Sequence, residues 1–246
     1  MELLKRLYAI NSKSGREDEI KRFILSSLSH IALDIKEDEF GNLFITKGKA
    51  EIYPCVAAHL DEVHTSSARI IIETPPTICA VNNEGVRVGL GADDKNGIWI
   101  ALKLLEEHEC IKVALFVEEE KDGEKAGCRG SKACDLAWFD NVGYILQCDR
   151  KGANDYIVQA KETPLCDYDF IPTELLRKYK YWPVKGGNTD VAALKRRGFD
   201  KPCCNISCGY YNAHKSEEYT NIDELKNCLN FVSDIITYYK NIDNNI

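Results

Sequence analysis

The chain lacks an excess of basic charge, a long apolar run and any Cys-x-x-Cys pair, and each absence removes a class of function. With 32 Lys and Arg against 39 Asp and Glu, the formal net charge is −7. Nothing then supplies the basic face that nucleic acid or an anionic bilayer needs, so neither is an expected partner. No stretch approaches the ~20 apolar residues required to cross a bilayer. Residues 1–10 interrupt their leucines with Glu2, Lys5 and Arg6, which denies them the apolar core of a secretory leader. Without Cys-x-x-Cys a thiolate zinc knuckle is not expected, and Cys204 with Cys208 is a weak pair by itself. Gly89-Leu90-Gly91 does not extend into a dinucleotide fingerprint. No repeat, low-complexity tract or linker divides the chain, so one domain over 1–246 is the simplest organisation.

What is present is enough for a sizeable core: 246 residues, 44% of them hydrophobic. The 11 cysteines are an odd number, mostly embedded in apolar runs such as 53–57. There they act as small hydrophobes, which implies a reducing compartment and predicts a cytoplasmic location.

Periodicity orders the chain. Leu3, Leu4, Leu7 and Ile10 recur at helical spacing. A second helix is expected after Ser14, with Ser14 and Glu17 at capping-box spacing and Ile20, Phe23, Ile24 and Leu28 as its stripe. The runs 33–38 and 43–46 flank Gly41-Asn42 as a hairpin, and 53–58 reads as a buried strand ending at His59. Short strands follow at 70–72, 78–81 and 86–88. A helix from Asp94 carries Ile98, Ala101, Leu102 and Leu105, and a strand over 111–117 then delivers Glu118-Glu119-Glu120. That strand, helix, strand order predicts parallel pairing. Further strands are expected at 143–148, ending at Asp149, and at 156–159 and 203–207, with helices over 188–197 and 222–239.

In an open α/β sheet, ligand groups gather at the carboxyl ends of strands. His59, Glu119 or Glu120, and Asp149 all fall there, and Asp93 and His214 complete a nitrogen and oxygen set suited to zinc, manganese or cobalt. Each piece also has a plain structural reading. Asp93-Asp94 fits a helix cap favoured by the dipole. Glu118 to Glu120, beside Lys121, Asp122, Glu124 and Lys125, fits a solvated turn. His214 and His64 fit loop histidines, and His30 and His108 sit near helix ends.

The order of six segments goes further: His59-Leu60-Asp61-Glu62-Val63, Gly91-Ala92-Asp93-Asp94-Lys95-Asn96-Gly97, Phe116-Val117-Glu118-Glu119-Glu120, Cys148-Asp149, Gly186-Gly187-Asn188-Thr189-Asp190 and Ala213-His214-Lys215-Ser216-Glu217-Glu218-Tyr219. Together they resemble the co-catalytic zinc exopeptidases and related amidohydrolases, a superfamily that includes peptidase T, the glutamyl and tetrahedral aminopeptidases and the aminoacylases. The resemblance implies a three-layer α/β/α sandwich with a mixed, largely parallel sheet and two divalent ions, zinc or else cobalt or manganese. It makes Asp93 the carboxylate shared by both ions, with His59 and Asp149 completing one position and Glu120 and His214 the other. Asp61 would orient the His59 imidazole and Glu119 would be the general base. Three consecutive glutamates also admit Glu118 as base and Glu119 as ligand, and Asp94 competes with Asp93; the family's spacing favours the first assignment in each case. Lys185, Gly187, Thr189 and Asp190 would contact substrate.

Relatives usually carry an inserted lid or dimerisation domain, but 60–92 and 150–213 are too short to hold one beside the elements assigned there. Residues 160–184, with Asp167, Tyr168, Asp169, Tyr179, Tyr181 and Trp182, offer a local substitute for the lid. The implied activity is hydrolysis of an amide bond in short peptides by an aminopeptidase or tripeptidase. A deacylase or amidase acting on N-acyl amino acids through the same site, and a non-catalytic metal-binding interaction module, are the alternatives. Oligomeric state is left open.

Overall fold

The computed structural model describes residues 1–65, 68–121 and 127–243. Helices α1 (Glu2–Ala9) and α2 (Asp18–Ser27) come first, then the hairpin of β1 (Asp34–Glu37) and β2 (Leu43–Lys47), and β3 (Tyr53–His59). Strands β4 (Ile70–Thr74), β5 (Thr77–Val81) and β6 (Arg87–Val88) lead into α3 (Ala92–Glu107) and β7 (Ile111–Phe116). There follow α4 (Arg129–Ala133), β8 (Val142–Arg150), β9 (Asp155–Ala160), β10 (Thr163–Pro164), α5 (Thr173–Tyr179) and β11 (Trp182–Gly186). The chain continues through α6 (Asp190–Arg196), β12 (Cys203–Ser207), β13 (Tyr210–Tyr211), β14 (Tyr219–Asn221) and α7 (Ile222–Asp243).

The main sheet runs β1-β2-β7-β3-β8-β12-β9-β10, with β11 also paired to β9. Its centre, β7-β3-β8-β12, is parallel, whereas β1, β2, β9 and β10 join antiparallel at the margins. Strands buried on both faces read as continuous apolar runs, and all six residues of β7 are buried. The two-residue alternation sorts their side chains between two cores. Val56, Ala58, Val113, Leu115 and Leu146 pack with Leu4, Ile98, Leu104, Leu229 and Val232 of α1, α3 and α7. Cys55, Ala57, Ala114, Phe116 and Ile145 pack on the other face against Phe139, Val191 and Leu194. The result is a helix, sheet, helix sandwich around a mixed sheet.

A smaller sheet, β13-β14-β5-β4 with β6 on β5, fills much of 60–92 and ties it to the start of α7. All 11 cysteines are free, and Cys208 bonds the Cys148 carbonyl rather than forming a thiolate site with Cys204.

Two expectations change. Ser14 and Glu17 make no capping box. The N-cap of α2 is Glu17, with no side-chain cap bond. The Ser14 hydroxyl instead donates to the Asp61 carboxylate, while Glu17 Oε1 accepts the N–H groups of Gly15 and Glu118. A charged, buried acceptor brought close by the fold outcompetes a local one. Residues 160–184 supply a sheet margin and a prop for α7, with Tyr168 and Trp182 left exposed: Tyr181 stacks on Phe231, Phe170 on Tyr239, and Tyr179 donates to Asp234.

The amino-terminal segment is fastened to the sheet by a buried ion triad. Glu62 accepts the Ser12 N–H, pairs with Arg69 at 2.7 Å and with Lys95 at 3.0 Å, and the three side chains are at most 1% exposed. Burial drives the Lys95 ammonium down to about 8 even with Glu62 beside it. Gly91, at φ 70°, passes so near that a Cβ would sit 2.0 Å from Glu62 Oε2, which explains glycine before α3. Replacing Glu62 by Gln strands two buried cations, and chemical denaturation should show a loss of about 3–5 kcal/mol. A loss below about 1 kcal/mol would mean that water reaches the triad and screens it.

Candidate metal centre

Because β7, β3 and β8 lie side by side and parallel, their carboxyl ends bring the 118–120 turn, His59 and Asp149 together. Asp93 enters from the first turn of α3, where it is joined to Asp94 by a cis peptide bond. His214 comes from the turn between β13 and β14 and takes φ 66°.

Asp93 stands between two histidines. Its Oδ1 lies 3.1 Å from His59 Nε2 and its Oδ2 3.2 Å from His214 Nε2. Asp149 Oδ1 is 3.4 Å from His59 Nε2, and Glu120 Oε1 is 2.6 Å from His214 Nε2. His59, Asp93 and Asp149 thus form one set of candidate ligands, and Asp93, Glu120 and His214 a second, each within 4.8 Å. Glu119 joins His59 and Glu120 in a third such set. The five expected ligands and the expected base therefore converge. His59 is 1% exposed and His214 47%, so the cluster opens to solvent on the His214 side.

The back of the His59 ring determines its tautomer. Nδ1 lies 3.0 Å from the Asp61 carbonyl oxygen and 3.4 Å from Asp61 Oδ1, so a proton belongs on Nδ1 and Nε2 is the nitrogen turned to the acids, the one that would give up its proton to take an ion. The Asp61 carboxylate does more than sequence reasoning expected. Its Oδ1 accepts the Glu119 N–H at 2.8 Å and its Oδ2 the Glu120 N–H at 2.9 Å, which fixes the acidic turn.

Within that turn the three glutamates separate. Glu118, at φ 53°, pairs with Arg129 and Lys121. Glu119 accepts the Cys128 thiol at 3.0 Å and is pushed up to about 8, first by burial and then by the charges of Asp190 and Glu120. Glu120 meets His214. Asp122, Glu124 and Lys125 lie outside the described residues. Asp93 and Asp94 separate too. Asp94, wholly buried, accepts the N–H groups of His59 and Gly97, capping the body of α3 and holding the end of β3.

Several supporting residues escaped sequence reasoning. Glu218, fully buried, accepts the Gly91 N–H at 2.6 Å and the Asp93 N–H at 3.2 Å, and also meets His64 Nε2 at 2.9 Å. His64 is therefore a partner of a buried acid rather than a free loop histidine. Asn205 accepts the Asp149 N–H and donates to the Asp149 carbonyl. His30 is exposed, and His108 meets the Ser233 hydroxyl. Of the expected substrate contacts, Lys185 and Gly187 are exposed. Thr189 and Asp190 are wholly buried and bonded to Gln147 and Ser131.

Among the described residues no lysine or arginine pairs with Asp93, Asp149, Glu119 or Glu120. Burial opposes charge on His59, but Asp149, Asp61 and Asp93 outweigh it and hold the imidazole well above its ordinary value. Hydrogen bonds to Asp93 and Glu120 push His214 up to about 10. Burial, with Asp94 and Asp93 nearby, drives Asp149 well above the carboxylate range. Acids packed this closely without fixed cations carry a negative charge that two dications would balance, and the donor set suits them.

No protein-family model matches the sequence. Among curated proteins, the uncharacterized protein YqjE of Bacillus subtilis is 30% identical over 175 residues, 63% of this chain and 44% of that protein. The chain thus spans less than half the length of the relative it matches. Three solved structures have similar folds. The aminopeptidase PepT of Bacillus cereus has a TM-score of 0.77 at 16% identity, with 95% of this chain and 96% of that one covered. A tripeptidase of Staphylococcus aureus has 0.77 at 16%, with 96% of both covered. An aminopeptidase of Desulfurococcus kamchatkensis has 0.68 at 19%, with 96% and 93% covered. The chain shares its fold with these aminopeptidase and tripeptidase structures.

Proposed function

We propose that the chain is a two-metal hydrolase of the reducing cytoplasm that cleaves the amide bond of short peptides, as an aminopeptidase or tripeptidase. The observation that carries this reading is Asp93, each of whose carboxylate oxygens faces a different histidine and a different second acid. His59, Asp93 and Asp149 would hold one divalent ion and Asp93, Glu120 and His214 the other, with zinc first and cobalt or manganese as alternatives. Ions held there supply Lewis acidity for an amide carbonyl and an activated water.

The protein's own groups do the rest. Glu119, beside both ligand sets and bonded to neither histidine, is the base that takes a proton from the attacking water and returns it to the leaving nitrogen. Asp61 keeps Glu119 and Glu120 in register through their N–H groups, and orients His59. Glu119, the carboxylate left over once the ligand sets balance the ions, favours an ammonium group, which suits a free peptide amino terminus better than an N-acyl one. Lys185 and Gly187 are exposed and available to a substrate, Lys185 as a point charge toward a carboxylate. Thr189 and Asp190 act from behind, through buried bonds. Peptide rather than nucleic acid fits the net charge of −7, and no described helix is long and apolar enough to cross a membrane.

Elemental analysis should find two divalent ions per chain, and stripping them with a chelator should abolish peptide hydrolysis until zinc, cobalt or manganese is restored. Hydrolysis that survives complete stripping would sink the reading. Glu119→Gln should lower kcat by roughly 10²–10⁴-fold while both ions remain bound. If Glu118→Gln is instead the inactive variant and Glu119→Gln loses metal, base and ligand are shifted by one residue. On a panel of free-amino and N-acetylated tripeptides, turnover is expected for the free-amino set. Turnover of the acetylated set alone would indicate a deacylase, and bound metal without any turnover an interaction module.

A further inference from the structure

Gln147 lies two residues before Asp149 on β8, so both side chains project from one face of the strand. It is wholly buried, and its amide is fully engaged. Oε1 accepts the Val191 N–H at 3.1 Å and the Thr189 hydroxyl. Nε2 donates to Asp149 Oδ2 at 3.1 Å and to Asp190 Oδ2 at 3.3 Å. A backbone N–H can only donate, so the contact with Val191 identifies the oxygen end of the amide. The amino end must therefore face the two carboxylates. Asp190 is anchored in turn by the Ser131 hydroxyl, 2.6 Å from its Oδ1.

This arrangement distinguishes the two oxygens of Asp149. Oδ2 is held from behind by Gln147, and Oδ1 is turned to His59 at 3.4 Å. Asn205 clamps the Asp149 main chain through both its N–H and its carbonyl. Among the described residues the other half of the centre has no equivalent: the side chain of Glu120 meets His214, which is 47% exposed.

We propose that Gln147 is a positioning residue that presents Asp149 to the His59 side of the centre through one oxygen, and so sets the metal affinity of that position and not of the Glu120–His214 position. This rests on the two-metal reading above. Without the amino group, the Asp149 carboxylate is free to rotate among like-charged Asp93, Asp94 and Asp190, and the one-oxygen presentation is lost. Partners that orient a ligand are worth roughly 10–100-fold in metal affinity when removed.

The test is titration of chelator-stripped protein with Co²⁺, followed by calorimetry and by the visible absorption of the bound ion, in two backgrounds. His214→Ala leaves the His59 position, and Asp149→Ala leaves the Glu120–His214 position. Adding Gln147→Met, which keeps side-chain length but removes every hydrogen bond, should weaken Co²⁺ roughly 10–100-fold in the first background and by less than about twofold in the second. Gln147→Glu keeps the acceptor for Val191 and Thr189 and puts a carboxylate oxygen in place of the amino group, read at a pH high enough that the new carboxyl is ionised and cannot donate to Asp149. It should reproduce the selective loss even if Gln147→Met unfolds, as judged by thermal melting of the stripped proteins. Unchanged affinity in the His214→Ala background, or equal losses in both, overturns the role of Gln147 alone. Failure of the wild-type protein to bind Co²⁺ overturns the two-metal reading and this proposal with it.

Discussion

A carboxylate taken out of water must find a donor or a cation for each of its oxygens, and the centre of this molecule is organised around one carboxylate whose two oxygens look in opposite directions. Asp93 holds that position because its own N–H is tied to Glu218, and because Gly91, bound to the same acid, lets the chain turn into α3 without a Cβ striking Glu62. Everything else in the site is placed relative to it. His59 and Asp149 come from adjacent parallel strands, so their separation follows from the spacing of strands in a sheet. His214 depends instead on the small sheet, whose β14 pairs with β5 and leads directly into α7.

The supporting bonds show a consistent economy. Where two groups of the cluster keep a fixed relation, a single side chain spans both. Asp61 receives the N–H groups of Glu119 and Glu120 and also lies behind His59. Asp94 holds the end of β3 and the body of α3 together, so the strand that carries His59 and the helix that follows Asp93 cannot move independently. Such bridges make the cluster stiff on its buried side. They also help to explain why so many acids are tolerated in one place: the oxygens of Asp61, Asp94 and Glu218 accept backbone N–H groups, which stabilise charge without introducing a competing cation.

How much of this was legible in the sequence depends on the range of the interaction. His59 and Asp149 could be placed because a polar residue closing a buried apolar run has to stand at a strand end, and the parallel order followed from one strand, helix, strand unit. Asp93, Glu120 and His214 became readable only through the order of the motifs, since each alone fits a cap, a solvated turn or a loop. Ser14 was misread because a local capping box and a bond to Asp61 leave the same trace in sequence; burial of the acceptor decides between them, and burial is a property of the fold. Glu218, Asn205 and Cys128 left no local signal, for their partners are far away in sequence. The 160–184 segment misled for a related reason. Its aromatic residues fit a lid as well as they fit α7, and Phe231 and Tyr239 were the surfaces that claimed them.

The same contrast of braced and unbraced groups bears on how a substrate is met. On the β8 side, ligand, main chain and amide are locked into the sheet, and little can yield. On the β13–β14 side, His214 is half exposed on a turn at positive φ, with no buried partner beyond the acids it faces. On the two-metal reading proposed above, a substrate carbonyl approaches from the His214 side, displacing solvent there rather than protein. Among the described residues, 60–92 builds most of the small sheet, and 150–213 supplies β9 to β12 of the large one with α5 and α6.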